Sequence, residues 1–166
     1  MPEVELRVVD EELLGPLLAT AVAQAQPRQV MRGADGATEW EPEHLDAFRE
    51  FHRGHYGGLD DPHRTVMFAV LTGGEVAGMI RMTQTEEPGT IQVGMWLGRM
   101  ARGRGVGTAA LRAVLARAAQ AGAHTVIADT TAGNAAALGM LGHVGAELTG
   151  EAGSDRRDAR IPLARP

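Results

Sequence analysis

The spacing of apolar residues changes period repeatedly along the chain, and each change marks an element. Val4, Leu6 and Val8 alternate with polar neighbours, which predicts a strand over 4–9. Asp10 then caps a helix with Glu11 and Glu12 in its first turn, where the helix dipole favours negative charge. Leu13, Leu14, Leu17, Leu18 and Val22 form its apolar stripe, although Gly15-Pro16 weakens the first turns. Residues 26–39 are polar and glycine-bearing and read as a loop. A second helix starts at Pro42, in a position that tolerates proline, and runs to Arg53; Gly54, Gly57, Gly58 and Pro62 mark a further loop.

Three strand-like runs follow at 65–71, 76–85 and 90–97. They are separated by Thr72-Gly73-Gly74-Glu75 and Glu86-Glu87-Pro88-Gly89, turns so short that the strands must be antiparallel neighbours. Val106, Ala110, Leu111, Val114, Leu115 and Ala118 then recur at helical spacing up to Gln120, with Gly122 beyond the end. A strand at 124–130, a short helix at 134–143 and strands near 146–149 and 159–163 complete the chain.

Composition narrows the chemistry. The 166 residues are 44% apolar and 22% charged, an ordinary globular balance. There is no cysteine, which removes disulfides, thiolate metal sites and a cysteine nucleophile. All sixteen basic residues are arginine, so a lysine Schiff base and a P-loop lysine are excluded as well. Asn134 is the single asparagine and Ser154 the single serine. The start, Met1-Pro2-Glu3-Val4-Glu5, is acidic rather than signal-like, and no run is long and apolar enough to span a membrane, so a cytoplasmic protein is expected. A net charge of −5 makes no general case for nucleic acid. The charge is unevenly placed, however. Residues 1–63 carry thirteen acids and five arginines, whereas the stretch between Pro88 and Ala128 has no acid and five arginines.

Within that basic stretch lies Arg102-Gly103-Arg104-Gly105-Val106-Gly107-Thr108, a glycine turn that opens a helix. Glycines there let several N–H groups converge on one anion, and the helix dipole and arginines add charge, so the segment reads as a phosphate or pyrophosphate cradle. Gly105 to Ala110 also fits G-x-G-x-x-A, with Asp129 at a later strand end, which imitates a dinucleotide fingerprint. Three features oppose that fit. Gly98 to Arg104 separates strand from glycines, the upstream strands are joined by tight turns, and about sixty residues are too few to finish a doubly wound sheet.

Strand, R-x-x-G-x-G, helix, strand and then N-x-x-A in a short helix resembles the GCN5-related N-acetyltransferase (GNAT) family. Arg102, Gly105 and Gly107 match one motif, and Asn134 with Ala137 the next. Val93-Gly94-Met95-Trp96-Leu97-Gly98 resembles the fourth strand of the RimJ/RimL-type branch, typified by ribosomal-protein N-terminal acetyltransferases. The resemblance implies an α/β (α+β) GNAT fold with a mixed, mostly antiparallel sheet of about seven strands and about four flanking helices. It implies one N-acetyltransferase domain over 1–166, with an acceptor-side segment at about 26–64 and an acetyl-CoA-binding core at about 65–146. Acetyl-CoA is then the co-substrate. By the same resemblance, the amides of Arg102, Gly103, Arg104, Gly105, Val106, Gly107 and Thr108 hold its pyrophosphate. Met95, Trp96 and Leu97 pair with the pantetheine where the fourth and fifth strands splay, and Asn134 bonds it from the side. An N–H of Trp96 or its neighbour polarises the thioester carbonyl. Met95, Leu97 and Trp96 also fit plain core packing.

Three positions depart from the family pattern: Gly145-Ala146 stands where a Gly-Phe usually closes the second motif, and two more bear on catalysis. Leu141 stands where many members have a tyrosine that reprotonates the thiolate, and Gln92 where many have a glutamate base. The general acid and base therefore do not carry over.

For the acceptor, residues 35–61 hold eight acids, two arginines and four of the six aromatics. His44, Phe48, Phe51 and His55 recur at helical spacing. One reading is a helix packed on the sheet through Leu45, Phe48 and Phe51. The other is an acidic, aromatic wall for a cationic amine, with Trp40, Glu41, His44, Phe48, Phe51 and Tyr56 binding the acceptor and Glu41, His44 or His55 taking the proton. A metal site at His52, His55, Asp60, Asp61 and His63 ranks below both, because the intervening glycines leave its geometry loose.

The expectation is an acetyl-CoA-dependent N-acetyltransferase acting on a small cationic amine such as a polyamine or an aminoglycoside-type antibiotic, hence a role in antibiotic resistance. The alternatives are a protein N-terminal acetyltransferase and a non-catalytic CoA-binding module. Expected partners are the small-molecule amine and, at most, a second copy in a homodimer, with no nucleic acid, membrane or metal.

Overall fold

A computed structural model describes residues 2–164. The chain runs β1 (Glu5–Val8), α1 (Glu11–Gln24), α2 (Pro27–Val30), α3 (Pro42–Arg53), β2 (Thr65–Thr72), β3 (Glu75–Gln84), β4 (Thr90–Leu97), α4 (Val106–Gln120), β5 (Thr125–Thr131), α5 (Ala135–His143), β6 (Glu147–Thr149) and β7 (Arg156–Pro162). The seven strands form one sheet in the order β1-β2-β3-β4-β5-β7-β6. Every neighbouring pair is antiparallel except β4 and β5. This is the mixed, mostly antiparallel α/β architecture expected, with five helices instead of about four. None of the described helices is long and apolar enough to cross a membrane.

The fifth helix is α2, inside the stretch read as loop. Pro27 opens it, and Gln29 reaches back to accept the Gln26 N–H at 2.8 Å, a reciprocal cap that sequence periodicity does not reveal over four residues. β7 begins at Arg156 rather than near Ala159, because Thr131, Thr130 and Asp129 of β5 need ladder partners and take Arg156, Arg157 and Asp158. α1 continues through Pro16. Asp10 caps it by accepting the Leu13 N–H at 2.9 Å, and Leu13, Leu14, Leu17 and Leu18 are all buried, which offsets the hydrogen bond that proline forfeits.

Strand alternation divides the apolar side chains into two cores. On one face Phe68, Val70, Ile80, Met82, Ile91, Val93 and Val126 meet Ala110, Leu111 and Val114 of α4. On the other face Met67, Ala69, Leu71, Met79 and Trp96 meet the leucines of α1 and Phe48 of α3. Side chains thus alternate between the two layers along the strands, except at the β2–β3 register shift, where Ala77 joins Ile80 and Met82 in the α4 layer.

Candidate functional site

The site begins where the sheet opens. β4 and β5 pair only through Thr90, Ile91 and Gln92 against Thr125, Val126 and Ile127. Beyond that point β4 stays with β3 as far as Leu97, and β5 stays with β7 as far as Thr131. The facing edges therefore lose their partners. Which groups they expose follows from one hydrogen bond. The Gly98 N–H donates to the Ala77 carbonyl on β3 at 2.8 Å, so alternation turns the backbone of Trp96 and Gly94 toward β3 and that of Leu97, Met95 and Val93 into the gap.

A cleft of about 750 Å³ fills this gap. Its floor is Val93 to Leu97, one wall is Arg102 to Thr108 with α4, and the other is β5 and the start of α5. Gly103 and Gly105 have φ values of +73° and +80°, which side-chain-bearing residues rarely adopt. Gly107 is buried where a Cβ would press on Met140 and Leu97. Gly105 caps α4 with no side-chain acceptor, so the first-turn amides of Val106, Gly107 and Thr108 remain donors without side-chain partners. A gap with an unpaired strand edge on one side and free helix amides on the other suits a ligand with amides along its length and an anionic end.

Side chains refine this picture. Arg102 folds back and donates to the Leu97 carbonyl at 3.1 and 3.2 Å, tying the loop to the end of β4. Arg104 is exposed. Asn134 lines the cleft and its carboxamide oxygen accepts the Ala137 N–H at 3.1 Å, so it caps α5. Leu141 is buried beside the cleft, an aliphatic group where a phenol was wanted. Trp96 is 7% exposed, and its indole Nε1 is buried without a partner.

The acceptor-side candidates lie elsewhere. None of Trp40, Glu41, His44, Phe48, Phe51, His55 and Tyr56 lines the cleft. Their polar atoms are mostly engaged locally. The Trp40 indole donates to the Ala25 carbonyl at 2.9 Å, and His44 Nδ1 accepts the Glu41 N–H at 3.0 Å as part of the α3 cap. The Tyr56 hydroxyl donates to Glu11 at 3.0 Å, and burial, helped by that bond, pushes its pKa up to about 12. The Glu11 carboxyl is held below its ordinary value by Arg53 and Tyr56. Phe48 is wholly buried, which is the packing alternative. The stripe of α3 runs through Phe48 and His52 rather than Phe48 and Phe51, since Phe51 is 43% exposed. His52 is buried with its ring 4.4 Å from Phe48, and burial, then His55, lower its pKa to about 4. Among the described residues no group of three or more histidines and carboxylates is placed to hold a metal.

Several lining residues were not anticipated as site residues. Gln29 comes from the unpredicted α2; Gly94, Asp129 and His143 complete the walls. Asp129 entered the sequence reading only as the strand-end acid of an imitated dinucleotide fingerprint. Its place beside the opening follows from the parallel β4–β5 register, which only the sheet reveals.

A family model for the acetyltransferase (GNAT) domain matches residues 3–147. The chain belongs to the GNAT acetyltransferase family. Such GNAT enzymes carry out acetyl-CoA-dependent acyl transfer. No curated protein matches the chain in sequence. Among solved structures the GNAT domain is similar to RimL, a ribosomal L7/L12 alpha-N-protein acetyltransferase in complex with coenzyme A, at 17% identity, TM-score 0.76, and coverage of 96% of this chain and 94% of that one. A Salmonella typhimurium acetyltransferase that modifies the N-terminal serine of ribosomal protein L7/L12 gives 16% identity, TM-score 0.76 and coverage of 97% and 95%. Mycobacterium smegmatis RimJ with CoA-disulfide gives 20% identity, TM-score 0.75 and coverage of 96% and 81%. At these identities the likeness establishes the fold.

Proposed function

We propose that the protein transfers acetyl from acetyl-CoA to the N-terminal α-amine of a polypeptide. The observation that carries this reading over a polycationic small amine is the position of the acids. The acid-rich segment lies away from the cleft, and Asp129 is the one carboxylate among the described lining residues. The attraction expected between an acidic pocket and an aminoglycoside or polyamine is therefore missing at the opening. The structural likeness to two solved structures of ribosomal L7/L12 N-terminal acetyltransferases supports the same choice.

In this reading the amides of Arg102 to Thr108 hold the pyrophosphate of acetyl-CoA, with Arg104 adding charge. The backbones of Val93 and Met95 and the Leu97 N–H pair with the pantetheine, the Leu97 carbonyl being held by Arg102, and the Asn134 amide nitrogen donates to it. Alternation makes Met95 N–H, instead of that of Trp96, the donor to the thioester carbonyl, where charge develops during transfer. The acceptor ammonium first gives up one proton to solvent; the neutral nitrogen then attacks the thioester carbon, the C–S bond breaks, and the second proton lost by nitrogen ends on the departing thiolate. Leu141 has no proton to give, so the side chain at that position does not take the tyrosine's part in this step. Acetyl-CoA turnover on N-terminal peptides and on an amine panel tests the reading. Peptide acetylation at the α-amine is expected. Inert peptides alongside a rapidly acetylated polyamine or aminoglycoside would overturn it.

A further inference from the structure

Three strands each place one residue in a row across the opening of the sheet. Arg81 of β3 pairs with Gly94 of β4. The parallel register ends with Gln92 against Ile127; two residues further on, Gly94 and Asp129 lie on the two sides of the gap, and both line the cleft. Ile80, Val93 and Ala128, their neighbours along each strand, turn into the α4 core, so alternation puts Arg81, Gly94 and Asp129 together on the opposite face. Gly94 leaves room there that the Arg81 guanidinium occupies: a Cβ on Gly94 would lie 2.5 Å from Arg81 Cζ.

Arg81 is half-buried behind Gly94, outside the lining of the cleft itself, and among the described residues it forms no ion pair. Burial, then the nearby Arg32, pulls its pKa below the ordinary arginine value, while Asp129 acts in the opposite direction. Asp129 is itself only loosely engaged. Arg156 stands 3.5 Å from it but is drawn to Asp158 at 2.9 Å. A desolvated guanidinium without a partner is unfavourable in the free protein, and a ligand oxygen relieves that cost on binding.

A peptide N-terminus carries an ammonium and, on the same residue, a carbonyl oxygen roughly 3 Å away, which matches an anion and a cation converging over one missing side chain. We propose that Arg81 and Asp129 select the acceptor, Asp129 taking the α-ammonium and Arg81 the carbonyl oxygen of the same residue. The proposal rests on the N-terminal reading and deepens it. It makes the substrate class an α-amine with an adjacent carbonyl, discriminated from an amine at the end of an alkyl chain.

The experiment compares a short peptide amide with a matched acceptor in which the first carbonyl is replaced by methylene. Wild-type enzyme is expected to favour the peptide by about tenfold or more in kcat/KM, and R81M to reduce that preference to within about threefold, mainly through KM. D129N should lower both acceptors together, since both carry the ammonium. G94A is expected to repeat the R81M result with the arginine still present, because the new methyl displaces the guanidinium. CoA affinity by calorimetry within about threefold of wild type for R81M and D129N shows that the variants are folded. An unchanged peptide preference in both R81M and G94A, with peptides still acetylated, overturns the clamp and leaves the N-terminal reading standing. No wild-type turnover of any peptide overturns both.

Discussion

The stretch from β4 to α5 and the stretch from α2 to Tyr56, just past α3, use their polar groups in opposite ways. The first leaves backbone groups without partners: the gap edge of β4 and the first-turn amides of α4. The second is aromatic and acidic and looks more like a binding surface in one dimension, yet most of its polar side chains close on the protein itself. Trp40 bonds Ala25, His44 bonds Glu41 and Tyr56 bonds Glu11. Side-chain chemistry alone is thus a poor guide to a site. An unsatisfied group beside a cavity is the better one; burial alone is not enough, since His52 Nδ1 in α3 and the Thr90 hydroxyl are also buried without a partner and do not line the cleft.

This contrast predicts that variants in α3 disturb stability while those in the glycine loop disturb donor binding. Phe48→Ala empties a fully buried position and should cost about 4 kcal/mol in urea unfolding, with the CoA affinity of the folded fraction unchanged. A large loss of CoA affinity in the folded protein would erase the contrast. Gly105→Val meets a φ of +80° and should weaken CoA binding by about 100-fold, or ~2.7 kcal/mol, by calorimetry.

His52 sharpens the stability side. Its folded pKa of about 4 lies below the ordinary value near 6.5, so the unfolded chain binds the extra proton first. The stability this residue contributes is complete above pH 6.5 and is lost as pH falls toward 4, at up to about 1.4 kcal/mol per pH unit. Urea midpoints across that window should fall in wild type and flatten in His52→Leu.

Asn134 straddles the contrast, since it both caps α5 and faces the cleft. Asn134→Ala should cost about 1 kcal/mol of stability and weaken CoA roughly tenfold. Asn134→Asp keeps the capping oxygen and so should restore stability but not affinity. Recovery of both would reduce Asn134 to a cap. The smallest effect is expected at His55, whose Nδ1 lies 2.6 Å from the Phe51 carbonyl and whose ring stacks 4.4 Å from His63. His55→Ala should leave steady-state turnover within about threefold, and a hundredfold loss would return α3 to the reaction.

Much of the fold was legible because it rests on local physics. Asp10 caps α1, Pro42 starts α3, and Gly73-Gly74 turns β2 into β3 as the sequence predicts. α2 and the start of β7 were not, because a four-residue helix has no period to read and Arg156–Asp158 is a strand only through β5. The proposed donor loop was readable because it, too, is a local feature. Backbone amides around glycines at a helix start can converge on an anion, so residues 102–108 stand out in the sequence.

By itself, then, the sequence determined the strands and main helices, the antiparallel β2–β3–β4 meander and the glycine turn that opens α4, all of which depend on neighbours a few residues apart. Only the tertiary structure decided which face of α3 is buried, which backbone atoms of β4 meet the gap, and that Arg81, Gly94 and Asp129 lie in one row. Those facts depend on strand register, which joins residues far apart in the chain and leaves no pattern in any one segment.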